Sequence, residues 1–241
     1  MLELYQFPHS AFCLKVRMAL KAKNVNHKII DITPGIGQVT VFRLSGQRKV
    51  PVLVDEENII FDSSEIIEYI DKKYLLPKLI PNDPKLSAQA HLIENWADTT
   101  LAKACRAELI KAASIDTELR MALLPNEIPS TMKKLTSSMS FEVINKFTNF
   151  INHESSSKLL TNLENISKLL KDSKWIIGDS MSIADIAIAA QLSLIKFPSS
   201  SGIPLVGKGS KDFNNHPKLI SLFNWRDQFD ISVMGANPGL L

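Results

Sequence analysis

A hydroxyl and a thiol stand three residues apart in the stretch Phe7-Pro8-His9-Ser10-Ala11-Phe12-Cys13. A strand pattern, Leu2 to Phe7, runs into this stretch, and a helix pattern, Ala11 to Lys23, runs out of it. A helix begins with unpaired N–H groups and roughly half a positive charge. Such a junction favours an anion, and a thiolate is one candidate. Ser10 and Cys13 also fill the frame of a Cys-x-x-Cys redox site whose leading cysteine has been replaced. The remaining cysteine lies one turn into the helix, where shielding suits it to packing. The frame then lacks the attacking thiol that disulfide exchange requires.

The elements that must position this junction follow from periodicity. Leu2 to Phe7 reads as a first strand. Phe12, Val16, Ala19 and Leu20 recur at helical spacing, with Lys15, Arg17, Lys21 and Lys23 mostly on the other face. His27 to Ile32 alternates as a second strand, and Thr33-Pro34-Gly35 ends it. Residues 36–46 fit a strand or a short irregular helix. Val50-Pro51-Val52-Leu53-Val54 reads as a third strand with proline at its start, a position that tolerates it. Asp55 to Asn58 is a hairpin turn, Ile59-Ile60-Phe61 a fourth strand, and Asp62-Ser63-Ser64 opens a helix to about Lys73. Prolines 77, 81 and 84 mark residues 77–85 as a linker.

Beyond the linker, strand signals nearly vanish. Residues 86–241 read as helical, beginning with one amphipathic helix of about 25 residues. Residues 125–160 are poorly patterned and Ser/Thr-rich at 136–140, and 198–211 reads as a loop. Ser182-Ile183-Ala184-Asp185 has the form of a capping box with aspartate in place of glutamate. The apolar run Ile186 to Ala190 that follows predicts a helix at the centre of the helical half.

Composition narrows the class. The 241 residues are 45% hydrophobic and 22% charged, ordinary for a folded protein with a sizeable core. The net charge of +3, with no Lys/Arg run longer than two, does not point to nucleic acid. Two cysteines make no disulfide framework, and a reducing, cytoplasmic setting is expected. No apolar run approaches the ~18 residues of a membrane span, and Met1 to Phe7 lacks a signal-peptide pattern. Histidines 27, 91, 153 and 216 show no metal-ligand spacing, so no metal is expected.

Four pieces in order resemble the glutathione S-transferase superfamily: Ser10 to Leu20, Lys49 to Leu53, Phe61 to Ile70, and Gly178-Asp179 with Ser182 to Ile186. The resemblance covers nearly the whole chain and does not single out a class. It implies an α/β thioredoxin-like N-terminal domain (β-α-β-α-β-β-α, residues 1–76) and an all-α C-terminal domain (86–241). It also implies a homodimer, and glutathione as co-substrate.

Site residues follow from the same resemblance. Ser10 matches the serine that donates a hydrogen bond to the glutathione sulfur in serine-type classes. Tyr5, the alternative, lies inside the strand and lacks the surrounding motif of the tyrosine classes. Val50 would pair its backbone with the cysteine of glutathione, as one more antiparallel strand, and Pro51 is cis in the family. Asp62 and Ser63 match the pair that holds the γ-glutamyl end, and Lys49 a position that in some classes reaches the glycine carboxylate. Phe7, His9, Phe12, Thr99 and Arg106 are candidate contacts for an apolar electrophile in a cleft between the domains. The implied activity is conjugation of the glutathione thiolate to a small electrophile. Alternatives on the same scaffold are a glutathione-dependent isomerase or reductase, or a non-catalytic stress-response or regulatory module.

Overall fold

Five residues of alternating burial, Leu2–Gln6, form the inner strand β1, which has a strand paired on each side of it. The computed structural model describes residues 1–33, 37–124 and 153–235. Of the poorly patterned 125–160 stretch, residues 125–152, including the Ser/Thr-rich 136–140, lie outside the described residues.

Element order at the N-terminus is β1, α1 (Ala11–Ala22), β2 (His27–Asp31), α2 (Gly37–Ser45), β3 (Val52–Asp55), β4 (Asn58–Phe61), α3 (Ser63–Lys73) and α4 (Pro84–Trp96). The sheet order is β2-β1-β3-β4, with β2 parallel to β1 and β3 antiparallel to both β1 and β4. One face of β1 packs Leu2 and Leu4 with Val16 and Leu20 of α1, Leu53 of β3, and Ile66 and Ile70 of α3. On the other face, Tyr5 and Phe7 pack with Ile32, Val52 and Val41 of α2. The chain therefore builds α1 and α3 on one side of a thioredoxin-like sheet and α2 on the other. Residues 37–45 of the ambiguous stretch form helix α2, closed by Gly46 at φ +72°. Val50 and Pro51 stand ahead of β3 rather than inside it, joined by a cis peptide bond.

Two side chains of α1 differ from their sequence pattern. Lys15 and Lys23, read as part of its polar face, are both buried. Lys15 pairs with Glu94 of α4 at 2.6 Å, and Lys23 with Asp71 of α3 at 2.7 Å. A buried ammonium needs such a partner, and both partners are too far along the chain for helical periodicity to reveal.

Compactness divides the chain into one unit of Met1–Asn95 with Ile177–Ala190 and a second of Trp96–Ile176 with Gln191–Leu241. Helix α4 starts at Pro84, so the last proline of the linker is already helical, as suits the first turn. The capping box precedes a helix at Ile183–Leu192, most of which belongs to the first unit. The Ile183 N–H donates to the carbonyl of Leu79 at 2.9 Å. Ser182 donates to Asp185 Oδ2 from its N–H at 2.8 Å and from its hydroxyl at 2.9 Å, and both residues are buried. Ser182→Ala is expected to lower stability by about 1–2 kcal/mol. Urea unfolding checks this as a lower midpoint with an unchanged slope.

In the second unit a π turn at Ala97–Leu101 leads into α5 (Ala102–Ile115) and α6 (Thr117–Ala122). Helix α7 (His153–Leu169) follows, and after α8, the Ile183–Leu192 helix that lies mostly in the first unit, come α9 (Lys211–Asn214) and α10 (Ile220–Met234). The segment read as a loop is anchored by Phe197 and Leu205, which pack on Ala112 and Leu119. Its ends are tied by Phe197 N–H to the Lys208 carbonyl at 2.9 Å and Ser210 N–H to the Ile195 carbonyl at 2.8 Å. A Cβ on Gly209 would lie 2.0 Å from the Ile195 oxygen, so only glycine fits that approach. Last comes α10, which ends at Met234.

Candidate active site

The β-register places the candidate residues. Tyr5 of β1 pairs with Val52 of β3, and Val52 with Phe61 of β4. One residue further, each strand leaves the sheet at the same end. β1 leaves into Phe7–Ser10, β3 is entered from Val50-Pro51, and β4 leaves into Asp62-Ser63. Phe7 and Val50 also share the apolar cluster around Val41 and Val52. Stretches some forty and fifty residues apart in sequence thus meet at one sheet end, beside the N-termini of α1 and α3.

Ser10 is the N-cap of α1, with extended backbone (φ −79°, ψ 123°), and its Oγ accepts from the Cys13 N–H at 3.4 Å. That bond uses an oxygen lone pair and leaves the hydroxyl proton for another acceptor. The preceding loop is braced by Arg17, which donates to the Pro8 carbonyl at 3.0 Å and to Gln6 Oε1. Gln6 in turn donates to Asp31 Oδ1 at 2.9 Å. No motif announced Gln6, Arg17 and Asp31. Alternation along β1 gave Gln6 a buried position, which is the one local sign that it needs polar partners.

Three neighbours of Ser10 have shifted titrations. Burial pushes the Cys13 thiol above its usual range, with Ser10 and the Phe7 backbone pulling weakly the other way. Cys13 is wholly buried, so it is a protonated core side chain at neutral pH. Tyr5 is raised by burial and then by Glu3, to which its hydroxyl donates at 3.2 Å. Its phenol is therefore committed to Glu3 on the same strand. His9 is lowered by burial and then by Arg17, so the imidazole is neutral at pH 7.

Asp62 is the N-cap of α3 at φ +75°, a positive value uncommon for a residue with a side chain. Its Oδ1 accepts from the Ser64 N–H at 2.9 Å. Ser63 is buried in the first turn, and among the described residues its hydroxyl has no hydrogen-bond partner. The Val50 N–H and C=O likewise bond no other described residue. Lys49 is exposed beside them, its carbonyl taken by Gln47 at 3.1 Å. Together these groups offer a strand-like backbone edge, a carboxylate, a serine hydroxyl and two helix N-termini. That set fits an extended, peptide-like anion.

Phe7, His9 and Phe12 are half-buried around Ser10 in the first unit, and Thr99 and Arg106 are exposed in the second. Arg120, in the same unit, braces the end of α5. It donates to the carbonyls of Ala113 at 2.9 Å and Ser114 at 3.2 Å. Among the described residues, no cluster of His, Cys, Asp and Glu could hold a metal ion, and no helix is long and apolar enough to cross a membrane.

Comparison with known proteins bears on the fold. Residues 4–78 match the model of the glutathione S-transferase N-terminal domain. A probable glutathione S-transferase of Glycine max is 25% identical, over 90% of this chain and 86% of the relative. Maleylacetoacetate isomerase of Rattus norvegicus is 22% identical, over 79% and 76%. The fold matches the crystal structure of a glutathione S-transferase from Rhodospirillum rubrum with a TM-score of 0.65 and 22% identity, covering 95% and 88% of the two chains. The first third of the chain carries the glutathione S-transferase N-terminal domain, and nearly the whole chain is similar to glutathione S-transferases in sequence and fold.

Proposed function

We propose that the chain is a glutathione transferase in which Ser10 activates the sulfur of bound glutathione. The observation that carries this reading is the convergence of Ser10, Val50-Pro51 and Asp62-Ser63 at one end of the sheet, set by the β-register. Glutathione's cysteine pairs with the Val50 backbone. Its α-ammonium meets Asp62, and its α-carboxylate meets Ser63 and the N–H groups of α3. Lys49 offers a counter-charge to the glycine carboxylate. This places the sulfur at the N-terminus of α1, where the Ser10 hydroxyl donates to it.

A free thiol of this kind has a pKa near ~8.5, and a donor plus a helix N-terminus lowers it. The thiolate then attacks an electrophilic carbon. A carbon–sulfur bond forms, the leaving group departs with its electron pair, and the thiol proton has already passed to solvent. Phe7, His9 and Phe12, half-buried around Ser10, suit an apolar substrate. Neutral His9 adds no charge there. The similarity to an isomerase supports a second reading of the same site. In it the thiolate adds to an activated double bond and is expelled again, leaving glutathione unconsumed.

Retention on immobilised glutathione, with elution by free glutathione, is the expected result. Absence of both retention and binding at millimolar glutathione would overturn the proposal in favour of a module that uses the fold without the co-substrate.

A further inference from the structure

Behind the first turn of α3 lies a buried charged cluster with no place in the chemistry above. Lys15 is wholly buried, and its ammonium donates to Ser64 Oγ at 3.0 Å and to Glu94 Oε1 at 2.6 Å. Ser64 is the residue whose N–H holds the Asp62 carboxylate, and it directly follows Ser63. Glu94 is buried too, with His91 Nδ1 3.5 Å from its other oxygen. All of these groups belong to the first unit.

An ion pair so deeply buried is weak evidence for stability, because desolvation offsets most of its attraction. Its placement has a more specific consequence. The cationic end touches the first turn of α3, where the N–H groups already favour an anion. Charge behind that turn is poorly screened, and the bond to Ser64 fixes the turn that carries both Asp62 and Ser63.

We infer that Lys15 is a positioning residue for the glutathione site. It holds the first turn of α3 in place through Ser64 and adds positive potential where the γ-glutamyl carboxylate binds. This rests on the function proposed above, and glutathione binding by the wild type tests that reading separately.

Lys15→Met alone would strand a buried carboxylate and unfold part of the population, so the informative variant is Lys15→Met/Glu94→Met. Replacing both members of a buried pair by apolar side chains is often neutral or stabilising. The double variant is expected to keep its unfolding midpoint and to bind glutathione about tenfold more weakly, a change of about 1.4 kcal/mol. Lys15→Arg keeps a cation and a donor and is expected to bind close to wild type. The discriminating probe is glutathione with its γ-glutamyl α-carboxylate converted to an amide. Wild type should reject this analogue strongly, and the double variant should distinguish it from glutathione much less. A folded double variant that binds glutathione as tightly as wild type, or discriminates equally against the amide, overturns the inference. A wild type that binds no glutathione removes the proposed function and this inference with it.

Discussion

Ser10→Ala is expected to lower kcat/KM for conjugation by about 10²-fold while the affinity for glutathione changes only a few-fold. Removing one preorganised donor from a developing or resident anion typically costs about 10²–10³ in rate, and a hundredfold corresponds to about 2.7 kcal/mol. In the proposed site the tripeptide is held elsewhere, by Val50, Asp62 and Ser63, so affinity is spared. The side chain has a second role, since its oxygen caps α1 by accepting from Cys13 at 3.4 Å. Loss of a cap costs about 0.5–2 kcal/mol, and a bond this long belongs at the lower end. Ser10→Gly separates the two roles. Glycine is nearly as good a cap as serine but has no hydroxyl. Ser10→Gly should therefore fold like the wild type and lose activity like Ser10→Ala, whereas Ser10→Thr should keep much of both. Full activity in Ser10→Gly would show that the hydroxyl does not act on the sulfur.

The second large effect is on stability. Asp71 and Lys23 form a buried knot where the ends of α1 and α3 meet the chain at 74–80. Lys23 Nζ donates to the carbonyls of Tyr74 and Pro77, each at 2.6 Å, and pairs with Asp71 Oδ1 at 2.7 Å. Asp71 also accepts from the N–H of Leu79 at 2.8 Å. Asp71→Ala leaves a buried ammonium without its counter-charge and a buried N–H without its acceptor. Breaking a buried pair in this way costs about 3–5 kcal/mol. In urea the midpoint should fall accordingly with the slope unchanged. Lys23→Met should cost a similar amount, and the double variant clearly less than the sum, because each single change strands the other group. Strict additivity would mean that the two side chains are not energetically coupled.

Legibility in the sequence tracked how local each cause is. The Asp62 cap of α3, the box at Ser182 and Asp185, and the strand-to-helix junction at Ser10 each depend on groups within a few residues, and all three were readable. Helix α2 was ambiguous because its cluster with Val52 and Tyr5 comes from distant strands. Lys15 and Lys23 were misread for the same reason. Their partners, Glu94 and Asp71, are 79 and 48 residues away, so spacing within α1 assigned them to solvent. The long helix after the linker is divided by a π turn, which no residue type there announces. At the site itself, the chemical identity of Ser10, Asp62 and Ser63 was visible, but their convergence is a property of the register and belongs to the fold.

The central claim is that a bound tripeptide supplies the nucleophile and that the protein lowers its pKa. The direct measurement is the ultraviolet absorbance of the thiolate in glutathione-saturated protein, followed with pH. A depressed thiol pKa means that thiolate persists to lower pH than in free glutathione. A midpoint near about 6.5 would raise the ionised fraction at pH 7 from about 3% to about 75%, and Ser10→Ala should return it most of the way towards about 8.5. A wild-type midpoint at the value of free glutathione, or one that Ser10→Ala leaves unmoved, would contradict this account of the site.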